Sequence, residues 1–385
     1  MQDSAPEHTF LTDSFELPPQ QTRLQEFWIQ LRKNRLALMG LVIFLVFFVI
    51  ALTGRLLTFG TSPLLDPSMV RLQEKLRPPL SRPNVESLLP EEMVPMGVYL
   101  LGTDELGRDV FARMLQGAWV SLSVGFVAVG IAVVIGILLG GLAGYYGQNP
   151  IRVGEVLIAG LIIWMALGWG KLSTLILVVL GLAAVAIAAV LIVQRNSDSR
   201  GFLHVFDAEL LSVDMVITGL IDIMLCFPSF FLILTVVALL PASIYNIMIV
   251  IGITSWMGAA RFVRAEFLSL REQDFVAAAR ALGVPDWRII FRHMVPNAIA
   301  PVLVSATIGI AGAILTEAGL SFLGFGVPPP DATWGNILSD GKNYLFDAPW
   351  LTFVPGIAIL VVVLSFNLFG EGLRDILNPK LRERH

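Results

Sequence analysis

Long, almost uninterrupted apolar segments constrain the fold of this chain more than any other feature of its sequence. A helix of about 20 apolar residues spans the hydrocarbon core of a bilayer, and only a helix pairs all backbone polar groups within one segment. The sequence therefore predicts an all-α protein, a polytopic helical bundle in a membrane. The predicted spans are residues 36–52, 120–142, 153–167, 172–193, 216–240, 244–262, 298–315 and 351–369.

The composition agrees with lipid as the surroundings of most of the chain. Of its 385 residues, 56% are hydrophobic and 15% are charged, against about 45–50% and about 25% in soluble domains. The formal net charge of −4 gives no reason to expect a nucleic-acid partner. Cys226 is the only cysteine and the four histidines are scattered, so we expect no disulfide within the chain and no metal or cofactor site.

Basic residues at the ends of the spans predict the orientation. Arg32, Lys33 and Arg35 precede the first span, which places the N-terminus in the cytoplasm. An even number of crossings then returns the C-terminus to the cytoplasm, where Arg374 and Lys380 lie. The first 35 residues are polar and no small-residue cleavage site follows the first apolar run, so we interpret that run as a retained anchor.

The segment 153–193 must cross the membrane an even number of times for this orientation to hold. An odd number would move the arginine-rich loop 266–297 to the outside. We therefore predict a helical hairpin that turns at residues 168–171, with a re-entrant third segment as the alternative. The predicted organisation is a cytoplasmic segment 1–35, first spans in 36–152 with an outer excursion 55–116, the extra hairpin and the start of a linker in 153–200, further spans in 201–375 with an outer loop 316–350, and a cytoplasmic tail 376–385.

The loop 266–297 carries two short amphipathic patterns. In the first, Phe275, Ala278, Ala279 and Leu282 fall at i, i+3, i+4 and i+7, on one face of a helix. Gly283 follows directly, as is typical of a helix C-terminus. In the second pattern the same spacing recurs after Pro285, and Pro296 is expected to end that helix. Its apolar positions are Trp287, Ile290, Phe291 and Met294.

Two interpretations of this bent helix pair follow from its residues. Its apolar faces, ringed by Arg280, Arg288 and Arg292, suit a docking knob for a soluble partner. The same arginines equally favour a helix pair that lies on anionic lipid. The periodicity alone leaves both open.

Two acidic residues in the predicted spans are candidates for function, because a charge is costly in lipid. Asp222 either lines a pathway, or reaches the cytoplasmic interface, or pairs with a neighbouring helix. Glu317 lies at the outer end of its span, where we expect it to be solvated. Pro228 should kink its helix because proline lacks a backbone donor. A kink can widen a pathway, although prolines are also frequent in spans without such a role.

Four ordered motifs resemble those of one transporter family. Residues 275–283 read FVAAARALG and residues 288–297 read RIIFRHMVPN, which is similar to the EAA loop of ABC importer permeases. The match is closest to the C-type subunit of the dipeptide/oligopeptide/nickel family, and it covers about residues 24–145 and 213–381. The remaining motifs are LGTDELGRDV at 101–110, EAGLSFLGFG at 317–326 with WGN at 334–336, and NLFGEGLRD at 367–375.

The resemblance implies a six-span type I ABC importer permease core in the bacterial cytoplasmic membrane, to which 153–193 adds an extra helical hairpin. In this family two permease subunits pair, each docks one of two ATP-binding ABC subunits, and an extracytoplasmic substrate-binding protein delivers the solute. Hydrolysis on the partner subunits would drive alternating access, so no catalytic residue is expected here. No G-x-x-x-x-G-K-[ST] run occurs in the sequence.

The resemblance also assigns candidate site residues. The glutamate that gives the EAA loop its name is replaced by Ala277, and the family often has an arginine where Trp119 stands. Docking is therefore expected to depend on apolar faces rather than on a carboxylate. The implied ATPase-docking residues are Asp274, Phe275, Ala278, Ala279, Gly283, Trp287, Arg288 and Pro296, and the pathway or gating candidates are Asp222 and Pro228.

Two other classes of membrane protein compete with this interpretation. A secondary transporter typically has internal repeats and acids at the midplane, and here Asp222 alone would serve as such an acid. An integral membrane enzyme would need a cluster of acids, histidines or metal ligands. Peptides are the leading substrate, with nickel complexes, opines and sugar–peptide fragments open. The extra hairpin either binds a lipid or an accessory protein, or only widens the lipid-facing side.

Overall fold

The computed structural model describes residues 23–60, 63–147, 150–152 and 209–377. This part of the chain is predominantly helical, as predicted. The predicted spans 153–167 and 172–193, and with them the extra hairpin, lie outside the described residues. The helices are α1 (Arg23–Lys33), α2 (Arg35–Thr58), α3 (Val110–Tyr146), α4 (Val213–Cys226), α5 (Ser229–Leu239), α6 (Ile244–Thr254), α7 (Trp256–Leu270), α8 (Asp274–Ala281), α9 (Asp286–Arg288), α10 (Val295–Phe322), α11 (Trp334–Gly341) and α12 (Trp350–Leu377).

Every predicted span within the described residues corresponds to a helix or a helix pair. Five helical stretches are long and apolar enough to cross a membrane, and the bent pair α4–α5 makes a sixth. The stretches are α2, α3, α6 with α7, α9 with α10, and α12. The predicted spans are shorter than these helices because polar residues interrupt the apolar runs near their ends.

Helix α3 shows how far a helix can exceed its apolar run. It has 37 residues and is therefore about 55 Å long at about 1.5 Å per residue, whereas a bilayer core is about 30 Å thick. It begins where the Asp109 side chain accepts a hydrogen bond from the Phe111 amide at 2.9 Å. The helix therefore projects beyond the hydrocarbon region.

A stripe of small residues joins α3 to α7. A Cβ added at Gly136 would lie 2.6 Å from the Ala259 Cβ, and one at Gly140 would lie 2.3 Å from the Ala260 carbonyl oxygen. A side chain at either position would push the helices apart. Small residues allow such close backbone approach between membrane helices, so the glycines place α3 against α7 in the centre of the bundle.

The predicted kink at Pro228 is confirmed, and it is a full break. Helix α4 ends at Cys226, α5 begins at Ser229, and their axes differ by 83°. Proline has no amide hydrogen, and its ring clashes with the carbonyl four residues back. The span 216–240 is therefore two short helices rather than one.

Two short strands are the departure from all-α structure in the described part. They are β1 (Pro150–Arg152) and β2 (Glu209–Ser212), which pair antiparallel with Pro150 opposite Ser212. The pair brings the chain before residue 153 next to the chain after residue 208. The bundle can therefore carry an insertion at this point without separating the end of α3 from the start of α4.

One end of the bundle, which we call the cap end, is formed by residues 59–60 and 63–109, the start of α3 and residues 323–349. Asp104 is fully buried there and accepts hydrogen bonds from Arg108 Nε at 2.7 Å and Arg113 Nη1 at 2.6 Å. Both arginines also contact Asp340, at 3.2 and 2.9 Å. This charge cluster ties the segment 63–109 to α3 and α11.

Candidate functional site

The opposite end of α10 carries the bent helix pair that the sequence predicts at 266–297. Helix α8 presents Val276 and Ala279 to the protein, where they pack in one cluster with Phe267, Ile289 and other residues. Phe275, Ala278 and Leu282 share the predicted apolar face with Ala279, but all three are exposed. The described part of the chain therefore leaves most of that face uncovered.

Gly283 ends α8 in a left-handed conformation, with φ +73°. Its amide donates to the Arg280 carbonyl at 2.9 Å, and the Val284 amide donates to the Ala279 carbonyl at 3.1 Å. These two bonds form a Schellman motif, which satisfies the last carbonyls of a helix. No atom lies within 4 Å of an added Cβ at this position, so the conformation, and not the space, calls for glycine.

The prediction that Pro296 ends the second helix is wrong. Helix α9 runs into a π-helical turn, Ile289–Met294, and then directly into α10. In the wide turn the Val295 amide donates to the Ile290 carbonyl five residues back. Such a turn before Pro296 accommodates a residue that lacks an amide hydrogen and would clash with an α-helical carbonyl. The result is one helical stretch from Asp286 to Phe322.

Large apolar side chains remain exposed on both helices of the pair. The exposed fractions are 82% for Leu282, 60% for Trp287 and 52% for Phe291, and Phe275 is also exposed. Ile290 and Met294, on the same predicted face as Trp287, are instead buried in the bundle. Exposed large apolar groups at a polar end of a membrane protein indicate a surface for a partner or for lipid.

The bent pair is anchored to the end of α3. The Tyr145 hydroxyl donates a hydrogen bond to the Asp286 carboxylate at 2.6 Å. The Arg280 guanidinium carbon lies 4.9 Å from the centre of the same tyrosine ring. The Arg288 guanidinium lies over the ring of Trp287 at 5.3 Å. Sequence reasoning missed Tyr145 and Asp286, since nothing in the local pattern indicates their pairing across the fold.

The pathway candidate Asp222 pairs with a neighbouring helix. Arg261 Nη2 on α7 donates to its carboxylate at 2.7 Å, and both side chains are more than half exposed. Nearer the start of α4, the Asp214 carboxylate accepts hydrogen bonds from Nε and Nη2 of Arg264 on α7, and this pair is more buried. The other candidate, Pro228, is exposed at the break between α4 and α5. Two ion pairs therefore hold α4 against α7.

The prediction that Glu317 is solvated is wrong. Its side chain is fully buried, and it accepts hydrogen bonds from Ser121 Oγ at 3.2 Å and Ser321 Oγ at 2.7 Å. The Ser121 hydroxyl in turn accepts from the Trp334 amide at 3.3 Å. Helix α11 folds back over the end of α10, and this long-range contact excludes water from the carboxyl group.

A cavity of about 500 Å³ lies between α7, α10 and the end of α12. Its walls are mostly apolar, with Glu266 and Arg374 as the charged groups among the lining residues. Among the described residues, no group of three or more histidine, cysteine, aspartate or glutamate side chains is arranged to hold a metal ion.

Comparisons with known proteins identify the relatives of this bundle. Residues 211–383 match the family described as binding-protein-dependent transport system inner membrane component. Residues 22–79 match the N-terminal TM domain of oligopeptide transport permease C. The inward-facing methionine ABC transporter MetNI is a structural neighbour with 15% identity and a TM-score of 0.40, covering 70% of this chain and 98% of that chain.

Relatives that match over most of the chain are also transport permeases. A dipeptide transport system permease protein of Alkalihalophilus pseudofirmus is 36% identical, over 93% of this chain and 90% of the relative. A di/tripeptide transport system permease protein of Pseudomonas aeruginosa is 33% identical, over 93% of each. An oligopeptide transport system permease protein of Bacillus subtilis is 29% identical, over 92% and 89%. The chain therefore belongs to the family of binding-protein-dependent ABC importer permeases, as a membrane-embedded transport component and not an enzyme.

Proposed function

We propose that this chain is one of two permease subunits of a peptide importer, docked through its bent helix pair onto one of two ATPase subunits. The observation that carries the docking assignment is the set of exposed apolar side chains on α8 and α9, with Leu282 82% exposed. The substrate class rests on the dipeptide and oligopeptide transport permeases among its relatives. An extracytoplasmic binding protein delivers the peptide.

The connections of the bent pair support its role in transmitting movement. Its second helix is continuous with α10, so the stretch Asp286–Phe322 reaches from the docking surface to the cap end. Over its 37 residues this lever is about 55 Å long at about 1.5 Å per residue. The Tyr145–Asp286 hydrogen bond adds a second link, to α3. Rotation of the docked ATPase would move α3 and α10 together as packed rigid elements.

The side of the bundle formed by α4 and α7 supports a pathway beside it. Asp222 and Arg261 form an ion pair that is more than half exposed on the surface of the spans. Charges on a lipid-facing surface are costly, so this face is covered by the second permease or lined by water. The break at Pro228 lies between α4 and α5, and α7 also lines the 500 Å³ cavity. Asp222 and Pro228 are therefore pathway candidates.

The proposed placement is the bacterial inner membrane, with both termini in the cytoplasm. Arg32, Lys33 and Arg35 before α2 and Arg374 near the end of α12 support this orientation. The bent pair then faces the cytoplasmic ATPases, and the cap end faces the binding protein. Reporter fusions test it. A fusion at Gly201 should read cytoplasmic and one at Lys171 external; the opposite result would reverse the topology.

Co-purification tests the docking assignment. Full burial of a leucine side chain contributes about 2 kcal/mol, which corresponds to about a 30-fold change in affinity. We therefore expect Leu282→Ser to weaken co-purification of the ATPase subunits by about 30-fold. Leu56→Ser is the matched control, since Leu56 is 81% exposed near the cap end of α2, and it should leave the complex intact.

Three outcomes contradict the proposal. Equal retention of the ATPases by the two variants would remove the bent pair from the docking surface. A purified chain that transports without any ATPase would refute the importer assignment altogether. If Leu282→Ser instead releases the pair from lipid vesicles and leaves ATPase binding unchanged, the helices lie on the membrane.

Peptide uptake by the reconstituted complex, with nickel complexes and opines as competitors, tests the substrate class.

A further inference from the structure

Helix α1 is a separate element at the start of the first span. The backbone is extended at Asn34, with φ −87° and ψ 95°, and this interrupts the helix between Lys33 and Arg35. The Asn34 side chain accepts a hydrogen bond from the Ala37 amide at 3.1 Å and so caps α2. Because the cap starts a new helix, α1 is free to run in a different direction from the span.

The two sides of α1 differ in their surroundings. Leu31 is buried in a small cluster with Ala37 at the start of α2 and Ile376 at the end of α12. Trp28 and Ile29 are exposed, at 43% and 41%. Leu31 therefore packs the helix against the ends of two spans, while Trp28 and Ile29 are not covered by the described residues.

Basic residues stand next to these apolar groups. Arg32 and Lys33 are exposed in the last turn of α1, and Arg35 is exposed at the first turn of α2. The Arg32 guanidinium carbon lies 5.1 Å from the centre of the Trp28 ring. A tryptophan beside arginine and lysine is typical of the layer in which lipid headgroups meet acyl chains.

The exposed stripe of α2 indicates the depth of α1 in the membrane. It begins at Leu36, one residue after Arg35, and continues through Met39 and Val42 along the span. A span with large apolar groups exposed along its length meets the acyl chains on that side. The end of α1 therefore lies at the edge of the hydrocarbon layer.

We propose that α1 is a membrane-surface anchor that binds anionic phospholipid. Trp28 and Ile29 enter the boundary between headgroups and acyl chains, and Arg32, Lys33 and Arg35 contact the phosphate groups. The charge of the three side chains is complementary to an anionic leaflet and not to zwitterionic lipid. The proposal rests on the membrane-spanning fold alone, and it holds whether or not the bent pair docks an ATPase.

The test measures the depth of α1 in vesicles. Since Cys226 is the only cysteine, Cys226→Ser provides a background for single nitroxide labels on the full chain. Labels go at Ile29, at Val46 on the exposed stripe of α2, and at Leu72 in the cap-end segment, all of which are exposed apolar positions. Collision with oxygen, which enters lipid, is compared with collision with a water-soluble nickel chelate, in phosphatidylcholine with and without phosphatidylglycerol.

We expect the Ile29 label to report a depth between those at Val46 and Leu72. Phosphatidylglycerol should shift it towards the Val46 value, and high salt should reverse that shift. Replacing Arg32, Lys33 and Arg35 by glutamine should abolish the shift and leave the Val46 label unchanged. An unchanged Val46 label also shows that the spans are still inserted in these variants.

Two results overturn the proposal. An Ile29 label with the same water access as Leu72 in both lipids means that α1 lies in solution. An Ile29 label shielded from both reagents in every lipid means that protein, and not lipid, covers this face. Neither result depends on transport activity, so a failure here is distinguishable from a failure of the importer assignment.

Discussion

The buried charge cluster at the cap end gives the most direct prediction. Asp104→Asn keeps the shape of the side chain and removes its charge. In the native protein the carboxylate accepts from Arg108 and Arg113 and from the amides of Leu106 and Arg108, both at 2.9 Å. The substitution leaves Arg113, whose side chain is only 4% exposed, with Asp340 as its remaining carboxylate.

The expected size follows from these contacts. Removing one partner of a buried ion pair costs about 3–5 kcal/mol. Asp340 is 28% exposed and stays 2.9 Å from Arg113, so it compensates in part, and we expect about 3 kcal/mol, the low end of that range. Because RT is about 0.6 kcal/mol, local opening of the cap end should become about 150-fold more frequent.

Hydrogen exchange measures this opening. The informative amides are those of Leu76 and Thr103, which donate to backbone carbonyls and not to the substituted side chain. Their protection should fall by about 150-fold in the Asp104→Asn variant. Glu86→Gln is the matched control, because Glu86 is exposed in the same segment, and it should change protection by less than about threefold. Equal protection in the two variants would refute the role assigned to the cluster.

Three further predictions concern the bundle and the bent pair. Gly283→Val places a β-branched side chain at φ +73°, with a strain of about 1–2 kcal/mol; it should lower peptide transported per ATP hydrolysed while the chain stays inserted, and unaltered coupling would contradict the assignment. Asp214→Asn should lower the Tm of the purified chain more than Asp222→Asn, because the Asp214 pair is the more buried. Asp222→Asn should instead reduce transport. If Asp222→Asn lowers the Tm more and leaves transport unchanged, Asp222 is not part of the pathway. Glu317→Leu leaves two serine hydroxyls without their buried acceptor and should cost about 1–3 kcal/mol, whereas Glu317→Gln should cost less; equal Tm losses would show that packing, and not hydrogen bonding, sets the effect.

The cap end shows where local sequence reasoning stops. The motif at 101–110 stands out in the sequence, yet nothing in it indicates that Asp104 meets Arg113 on α3 and, through it, Asp340 on α11. The sequence predicts a solvated Glu317, because this residue follows the apolar run of its span. The structure buries it under α11, and that contact joins residues far apart in the chain.

The bent pair also combines a feature that the local sequence predicts with one that it does not. Its glycine hinge was predictable, since a left-handed residue after an amphipathic turn favours glycine. The path beyond Pro296 was not, because the π-turn that accommodates the proline depends on how Ile289 and Met294 pack into the bundle. Helix propensity alone would end the helix there.

The sequence by itself determined the spans in the described part of the chain, the presence of a bend at Pro228 and the two helices joined at Gly283. Each is a local consequence, either of the length of apolar helix that a bilayer requires or of a backbone restriction at one residue. Only the tertiary structure decided which side of α8 stays exposed, how Tyr145 holds the bent pair, and that the Glu317 side chain is buried. These depend on which distant segments pack against each other, and that is a property of the whole bundle and not of any one stretch of chain.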